Sequence, residues 1–69
     1  MQYLVAYDIP DNGRRNRVAR CLLNFGRRLQ LSVFTCDLET RDFLRMCRKV
    51  EALLDFKEDR LQIIPLCQS

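Results

Sequence analysis

The residue with the clearest chemical potential is Asp8. It ends an otherwise apolar run, Tyr3-Leu4-Val5-Ala6-Tyr7-Asp8-Ile9-Pro10, and is followed at once by Arg14, Arg15 and Arg17. Alternation along a strand puts Leu4, Ala6 and Asp8 on one face and Tyr3, Val5, Tyr7 and Ile9 on the other. A carboxylate among apolar neighbours needs a cation, an arginine or water. With arginines close behind, the chemistry to expect is a divalent metal held near phosphates; the alternative is an aspartate that only caps the turn at the strand end.

The rest of the composition narrows that chemistry. There is no histidine, so acid–base work would fall to carboxylates, metal-bound water or tyrosine. Cys21, Cys36, Cys47 and Cys67 form no C-x-x-C pair, which argues against a thiolate metal centre. The first three lie in or beside apolar stretches and read as reduced, packed thiols rather than a disulfide framework. The net charge is +3, and its excess belongs to residues 1–30, where six arginines stand against Asp8 and Asp11. Ten of the twelve basic residues are arginine, the side chain suited to bidentate phosphate contact, so a polyanionic partner fits better than a cationic one. Arginines that merely solubilise a small domain are the competing explanation.

These residues must be positioned by a single domain spanning 1–69, near the lower size limit for one hydrophobic core, so oligomerisation is expected. No linker, repeat or low-complexity stretch is visible. No apolar run approaches the roughly 20 residues of a membrane span and the start lacks a signal-peptide pattern, which makes the cytoplasm the default address and a membrane partner unexpected.

The pattern is strand, helix, extended segment, helix, strand. Asp11 or Asn12 can cap a first helix running to about Phe25, with Gly26 as its stop. Val18, Ala19, Leu22, Leu23 and Phe25 fill its apolar arc. Arg15 falls inside that arc, in the first turn, where an inward charge calls for a carboxylate or phosphate. Arg27 to Leu38 is extended, either as one strand or as two segments bent near Ser32; it holds no Gly, Pro or Asn that would mark a hairpin. Thr40 caps a second helix to about Leu54, with Phe43, Met46, Cys47, Val50, Leu53 and Leu54 as its core stripe. Asp55 to Asp59 forms a charged turn, and Leu61 to Leu66 returns as a strand closed by Pro65. Two helices cover one sheet face while the strands are apolar on both, so the open face needs a second cover. Two-fold dimerisation supplies one, and would bring two copies of Asp8 near one axis.

Tyr3 to Asp11, the run Arg14-Arg15-Asn16-Arg17, Gln30-Leu31-Ser32-Val33-Phe34 with Cys36-Asp37-Leu38, and Asp59-Arg60-Leu61-Gln62-Ile63-Ile64-Pro65-Leu66 together resemble the CRISPR-associated protein 2 family over nearly the whole chain. The resemblance implies an α+β, ferredoxin-like βαββαβ two-layer sandwich: an antiparallel sheet with two helices on one face, dimerising through the other. It implies that the two copies of Asp8 face each other in a homodimer and bind Mg²⁺. It also implies a metal-dependent endonuclease of CRISPR spacer acquisition, acting on single-stranded RNA or double-stranded DNA and assembling with the CRISPR integrase subunit. The positions matching the family's functional residues are Tyr7, Asp8, Arg15, Arg17, Arg28 and Phe34. The resemblance also implies a further C-terminal strand that pairs with the partner's sheet, beyond the segment corresponding to Leu61 to Leu66, and the residues up to Ser69 are not expected to supply it.

By residue type, Asp8 is the catalytic and metal-holding group, while Arg15, Arg17 and Arg28 would neutralise phosphate. Tyr7 and Phe34 are supporting residues for which packing is the simpler role. Ser32, without a base, is no nucleophile. One carboxylate per chain is a sparse nuclease site. The main alternative is therefore a non-catalytic DNA-binding adaptor that scaffolds the integrase complex; an RNA-binding or small-ligand module would need exposed aromatics on the sheet face.

Overall fold

In the computed structural model, which describes residues 1–66, the apolar alternation of the first segment forms strand β1 (Gln2–Asp8). It is followed by α1 (Asn12–Leu23), β2 (Arg27–Gln30), β3 (Val33–Asp37), α2 (Thr40–Glu51) and β4 (Arg60–Leu66). The sheet order is β2-β3-β1-β4 and every neighbouring pair is antiparallel, giving the ferredoxin-like βαββαβ arrangement expected. No helix among the described residues is long and apolar enough to cross a membrane.

β1 is central, and its alternation decides what each face does. Val5 and Tyr7 are buried with Phe34 and Cys36 of β3 against Val18, Ala19 and Leu22 of α1 and Met46 and Val50 of α2. Tyr3 stacks on Phe43 with ring centroids 4.1 Å apart, tying β1 to α2. On the other face, Leu4, Ala6, Val33 and Leu66 are half-buried and Ile64 is exposed, so an apolar strip is left without a helical cover.

Asp11 caps α1, its carboxylate accepting the Arg14 backbone N–H at 2.8 Å. The helix ends at Leu23, earlier than the expected Phe25, and Leu23 is exposed because the buried arc of α1 is only as wide as Val18, Ala19 and Leu22. Gly26 is no left-handed stop, since its φ is not positive. Its role is close approach: a Cβ there would overlap the Thr35 carbonyl oxygen and stand 2.5 Å from Cys36 Sγ.

The Arg27–Leu38 stretch is two strands, joined at Leu31–Ser32. The favoured two-residue hairpin turns need positive φ. This turn uses none, and a register shift between Arg28 and Gln30 accommodates it, so no glycine marks the place. Thr40 does not cap α2. Glu39 holds the extended cap position and its carbonyl accepts the first helical bond from Phe43, which makes Thr40 the first residue inside the helix. Pro65 lies within β4 rather than closing it, opposite Tyr3. An edge strand tolerates it, because an outward-facing N–H has no ladder partner to lose. Cys21, Cys36 and Cys47 are free thiols, as expected, and burial raises the pKa of each, so they stay protonated; Cys67 lies outside the described residues.

Candidate metal and nucleic-acid site at the end of β1

Asp8 is the last residue of β1 and is exposed, on the face away from the helices. Because β1 and β4 run antiparallel with Tyr7 opposite Leu61, the first residue of β4, Arg60, stands directly across from Asp8. No ion pair within 4.0 Å joins Asp8 to Arg60 or to any other cation among the described residues. Asp8 and Arg60 line one groove with Tyr7, Phe56, Leu61 and Gln62. The site therefore holds an accessible carboxylate, an arginine across the ladder and an aromatic ring.

The donor set suits one kind of metal. Among the described residues no three His, Cys, Asp or Glu side chains converge, so a closed protein cage is not built within one chain. Mg²⁺ does not require one: it is bound through one or two carboxylates and retains water and phosphate oxygens as its other ligands. An exposed Asp8, free of ion pairs among the described residues, fits that requirement.

The arginines divide into distinct roles. Arg15 is half-buried, and its guanidinium donates from Nη1 to the Ile9 carbonyl at 3.1 Å and from Nη2 to Asn12 Oδ1. The inward charge thus meets a backbone carbonyl and an amide rather than the expected carboxylate or phosphate, and it fixes the chain just past Asp8. Arg17 is exposed on α1. Arg28 is exposed on β2 with its guanidinium carbon 5.2 Å from the centroid of the Phe34 ring. Since Arg28 pairs with Phe34 in the β2–β3 ladder, it points to the helix side, opposite Asp8. The structure brings Asp8 and the Arg15 anchor to the same end of the sheet and leaves Arg28 on the other face.

Tyr7 and Phe34 lie in the core. Phe34 is 0% exposed and stacks on Tyr7 with centroids 6.1 Å apart. The Tyr7 hydroxyl donates to the Leu31 carbonyl at 3.3 Å and its N–H donates to the Ser32 carbonyl at 3.2 Å, which pins the β2–β3 turn to the end of β1.

Three residues escaped the sequence reading. Arg14 forms a bidentate pair with Asp59, Nε to Oδ2 at 2.5 Å and Nη2 to Oδ1 at 2.9 Å, and also reaches Glu58 at 3.3 Å. The Arg14 hydrogen bond holds the Asp59 carboxyl below the usual carboxylate range, and Asp59 in turn raises the guanidinium. Forty-five positions separate the pair, so no local pattern signals it. Arg60 was legible in principle: in a ferredoxin-like βαββαβ sheet the first strand is interior and the last pairs antiparallel beside it, which sets the start of β4 against the end of β1. Phe56 gave only a compositional signal, one aromatic inside a charged turn.

A family model for CRISPR associated protein Cas2 matches residues 1–69. A CRISPR-associated endonuclease Cas2 of Thermus thermophilus is 47% identical over 64 residues, 93% of this chain and 71% of that protein. A CRISPR-associated endoribonuclease Cas2 of Rhodospirillum rubrum is 42% identical over 66 residues, 96% of this chain and 53% of that protein, so the chain spans about half of that relative. Among solved structures, Streptococcus pyogenes Cas2 superposes with a TM-score of 0.91 at 28% identity, covering 97% of this chain and 87% of that one. A Thermus thermophilus protein described as hypothetical superposes at 0.93 with 45% identity, covering 97% and 82%. On this sequence and structural agreement, the chain belongs to the Cas2 family of CRISPR-associated proteins.

Proposed function

We propose that this chain is a metal-dependent endonuclease of CRISPR spacer acquisition, cutting phosphodiester bonds in single-stranded RNA or double-stranded DNA. The observation that carries the reading is Asp8: an exposed carboxylate, free of ion pairs among the described residues, at the end of the central strand and across from Arg60. Relatives bearing endonuclease and endoribonuclease names support it. Asp8 would hold Mg²⁺, which when bound supplies charge stabilisation and a water of lowered pKa. The chain's own residues do the remaining work. Arg60, across the ladder from Asp8, is placed to meet phosphate charge, and exposed Arg17 can grip the backbone farther along. Arg15 acts as a positioning residue through the Ile9 carbonyl.

The uncovered strip of Leu4, Ala6, Val33, Ile64 and Leu66 supports a homodimer through the open face, since self-complementary burial of that strip would add core to a 69-residue chain. In such a dimer the Asp8 carboxylates would approach one another. The CRISPR integrase subunit is the expected partner of the assembled dimer.

One observation favours a second reading. Each chain offers Asp8 without further converging metal-type ligands among the described residues, which suits an adaptor that only grips DNA. Labelled single-stranded RNA and duplex DNA incubated with magnesium, with EDTA and with Asp8→Asn separate the two. Magnesium-dependent cutting that disappears in Asp8→Asn is expected. Absence of cutting by dimeric protein, with salt-sensitive duplex binding unchanged in Asp8→Asn, would assign the adaptor role instead.

A further inference from the structure

Phe56 is 75% exposed, and a single exposed aromatic needs no explanation by itself. Two further observations set it apart. First, the turn that carries it is locked. The Glu58 and Asp59 N–H groups donate to the Asp55 carbonyl at 3.1 and 2.8 Å, the Lys57 N–H donates to Asp55 Oδ1 at 2.9 Å, and the Asp55 N–H donates to Asp59 Oδ2 at 2.9 Å. From α1, Arg14 clamps Asp59, whose carboxylate side chain has no solvent exposure. Second, Phe56 shares its groove with Asp8, Arg60 and Gln62. The ring thus stands exposed on a hydrogen-bonded turn, sharing its groove with a carboxylate and with an arginine that has no ion pair among the described residues.

We propose that Phe56 is a stacking platform for one unpaired base of a nucleic-acid strand lying along this groove, with Arg60 taking the adjoining phosphate. This rests on the reading of the Asp8 end as the nucleic-acid site. A flat ring beside a cation matches a nucleotide, which offers a π-face and a negative charge about one residue's reach apart, and the polar Gln62 can meet a base edge. A base within a duplex has its faces covered by its neighbours, so the platform gives single strands, or strands with a flipped base, an advantage that duplex cannot share.

The test is equilibrium binding by fluorescence anisotropy, in EDTA so that nothing is cut. The probes are a labelled mixed-sequence oligoribonucleotide of roughly 12 nucleotides and a duplex DNA of the same length. Phe56→Ala should weaken single-strand binding about fivefold or more, fivefold being the lower end of what one stacked base contributes, and leave duplex binding within about twofold. Phe56→Trp should restore single-strand binding and Phe56→Leu should not. Equal losses for both probes, rescue by leucine as good as by tryptophan, or no single-strand binding by the unsubstituted protein would each overturn the proposal. So would a change of mass in light scattering for Phe56→Ala, which would make the ring a contact with a second copy of the chain. Because no step requires cleavage, failure of the platform and failure of the nuclease reading are read independently.

Discussion

Replacing Phe34 with alanine should unfold much of this protein rather than strip a base-contacting ring from an intact site. The side chain is 0% exposed, at the centre of a cluster that includes Val5, Tyr7 and Leu22. Truncating a buried phenylalanine to alanine costs about 3–5 kcal/mol through lost transfer energy and the cavity left behind. The Tyr7 stack and the Arg28 guanidinium over the ring add about 0.5–1 kcal/mol each, partly overlapping that sum. Chains of this length have total stabilities of about 3–10 kcal/mol. The substitution therefore removes between half and all of the margin, and lowers Tm by about 15–30 °C. Urea unfolding followed by circular dichroism, at matched protein concentration because dimer formation would contribute, measures the cost directly. Phe34→Leu, which keeps most of the volume, should cost about 1.5 kcal/mol or less and retain nucleic-acid binding. A Phe34→Ala protein within about 1 kcal/mol of the parent that nonetheless lost RNA binding would refute this reasoning and return the ring to the substrate site.

Other perturbations test other joints of the fold. Gly26→Ala forces a methyl into the Thr35 carbonyl and Cys36, neither of which can swing aside like the tip of a flexible side chain, so the expected loss is about 2–3 kcal/mol despite the small entropic gain of Gly→Ala; a chemical-denaturation midpoint unchanged from the parent would contradict the close approach. The Arg14 hydrogen bond lowers the Asp59 pKa, so the stability it contributes is full above the unfolded carboxylate value of about 3.9 and is lost as pH falls from there through the lower folded value. Asp59→Asn should consequently flatten the acid limb of a Tm-against-pH curve below about pH 4, and identical limbs would show the pair to be idle. Arg15→Lys should weaken catalysis through the backbone at Ile9 while leaving single-strand affinity in EDTA within about twofold; a large affinity loss would instead place the guanidinium on phosphate.

Much of this could be read from residue order alone. The alternation from Tyr3 to Asp8 fixed the phase of β1, so it correctly separates Asp8 from Tyr7 and places the latter in the core. The α2 stripe holds as far as the helix runs, because Met46 and Val50 are one turn apart with Phe43 and Cys47 half-buried beside them, whereas the helix ends at Glu51 rather than about Leu54 and leaves Leu53 and Leu54 half-buried beyond it. What stayed hidden depends on geometry that no local pattern encodes. The β2–β3 turn has no glycine because its backbone never enters the left-handed region. Arg14 looks like its neighbours in the Arg14-Arg15-Asn16-Arg17 run, yet only it is spent on Asp59, while Arg15 turns back to Ile9 and Arg17 stays in solvent. Three arginines of one type within four positions thus have three different fates, decided by which partner the tertiary fold brings within reach.

That division bears on how the end of β1 can serve a charged substrate. Arg14 and Arg15 are committed to holding the α2–β4 turn and the β1–α1 connection, so among the described residues Arg60, across the ladder from Asp8, and exposed Arg17 on α1 remain uncommitted. The committed pair does not leave the site idle, because the turn it holds carries Phe56 and the connection it holds begins at Ile9, directly after Asp8. Neutralising Arg14 would therefore remove no phosphate contact, but it would free the Asp55–Asp59 turn and with it the ring. Arg60 stands differently: it is exposed and has no ion pair among the described residues, so losing it should leave the fold intact and act on binding alone. The expected signature is a shallower salt dependence of RNA affinity for Arg60→Ala, by about one counterion, with an unchanged slope for Arg14→Ala. Equal slopes for the two variants would mean that the fold does not partition its arginines in this way.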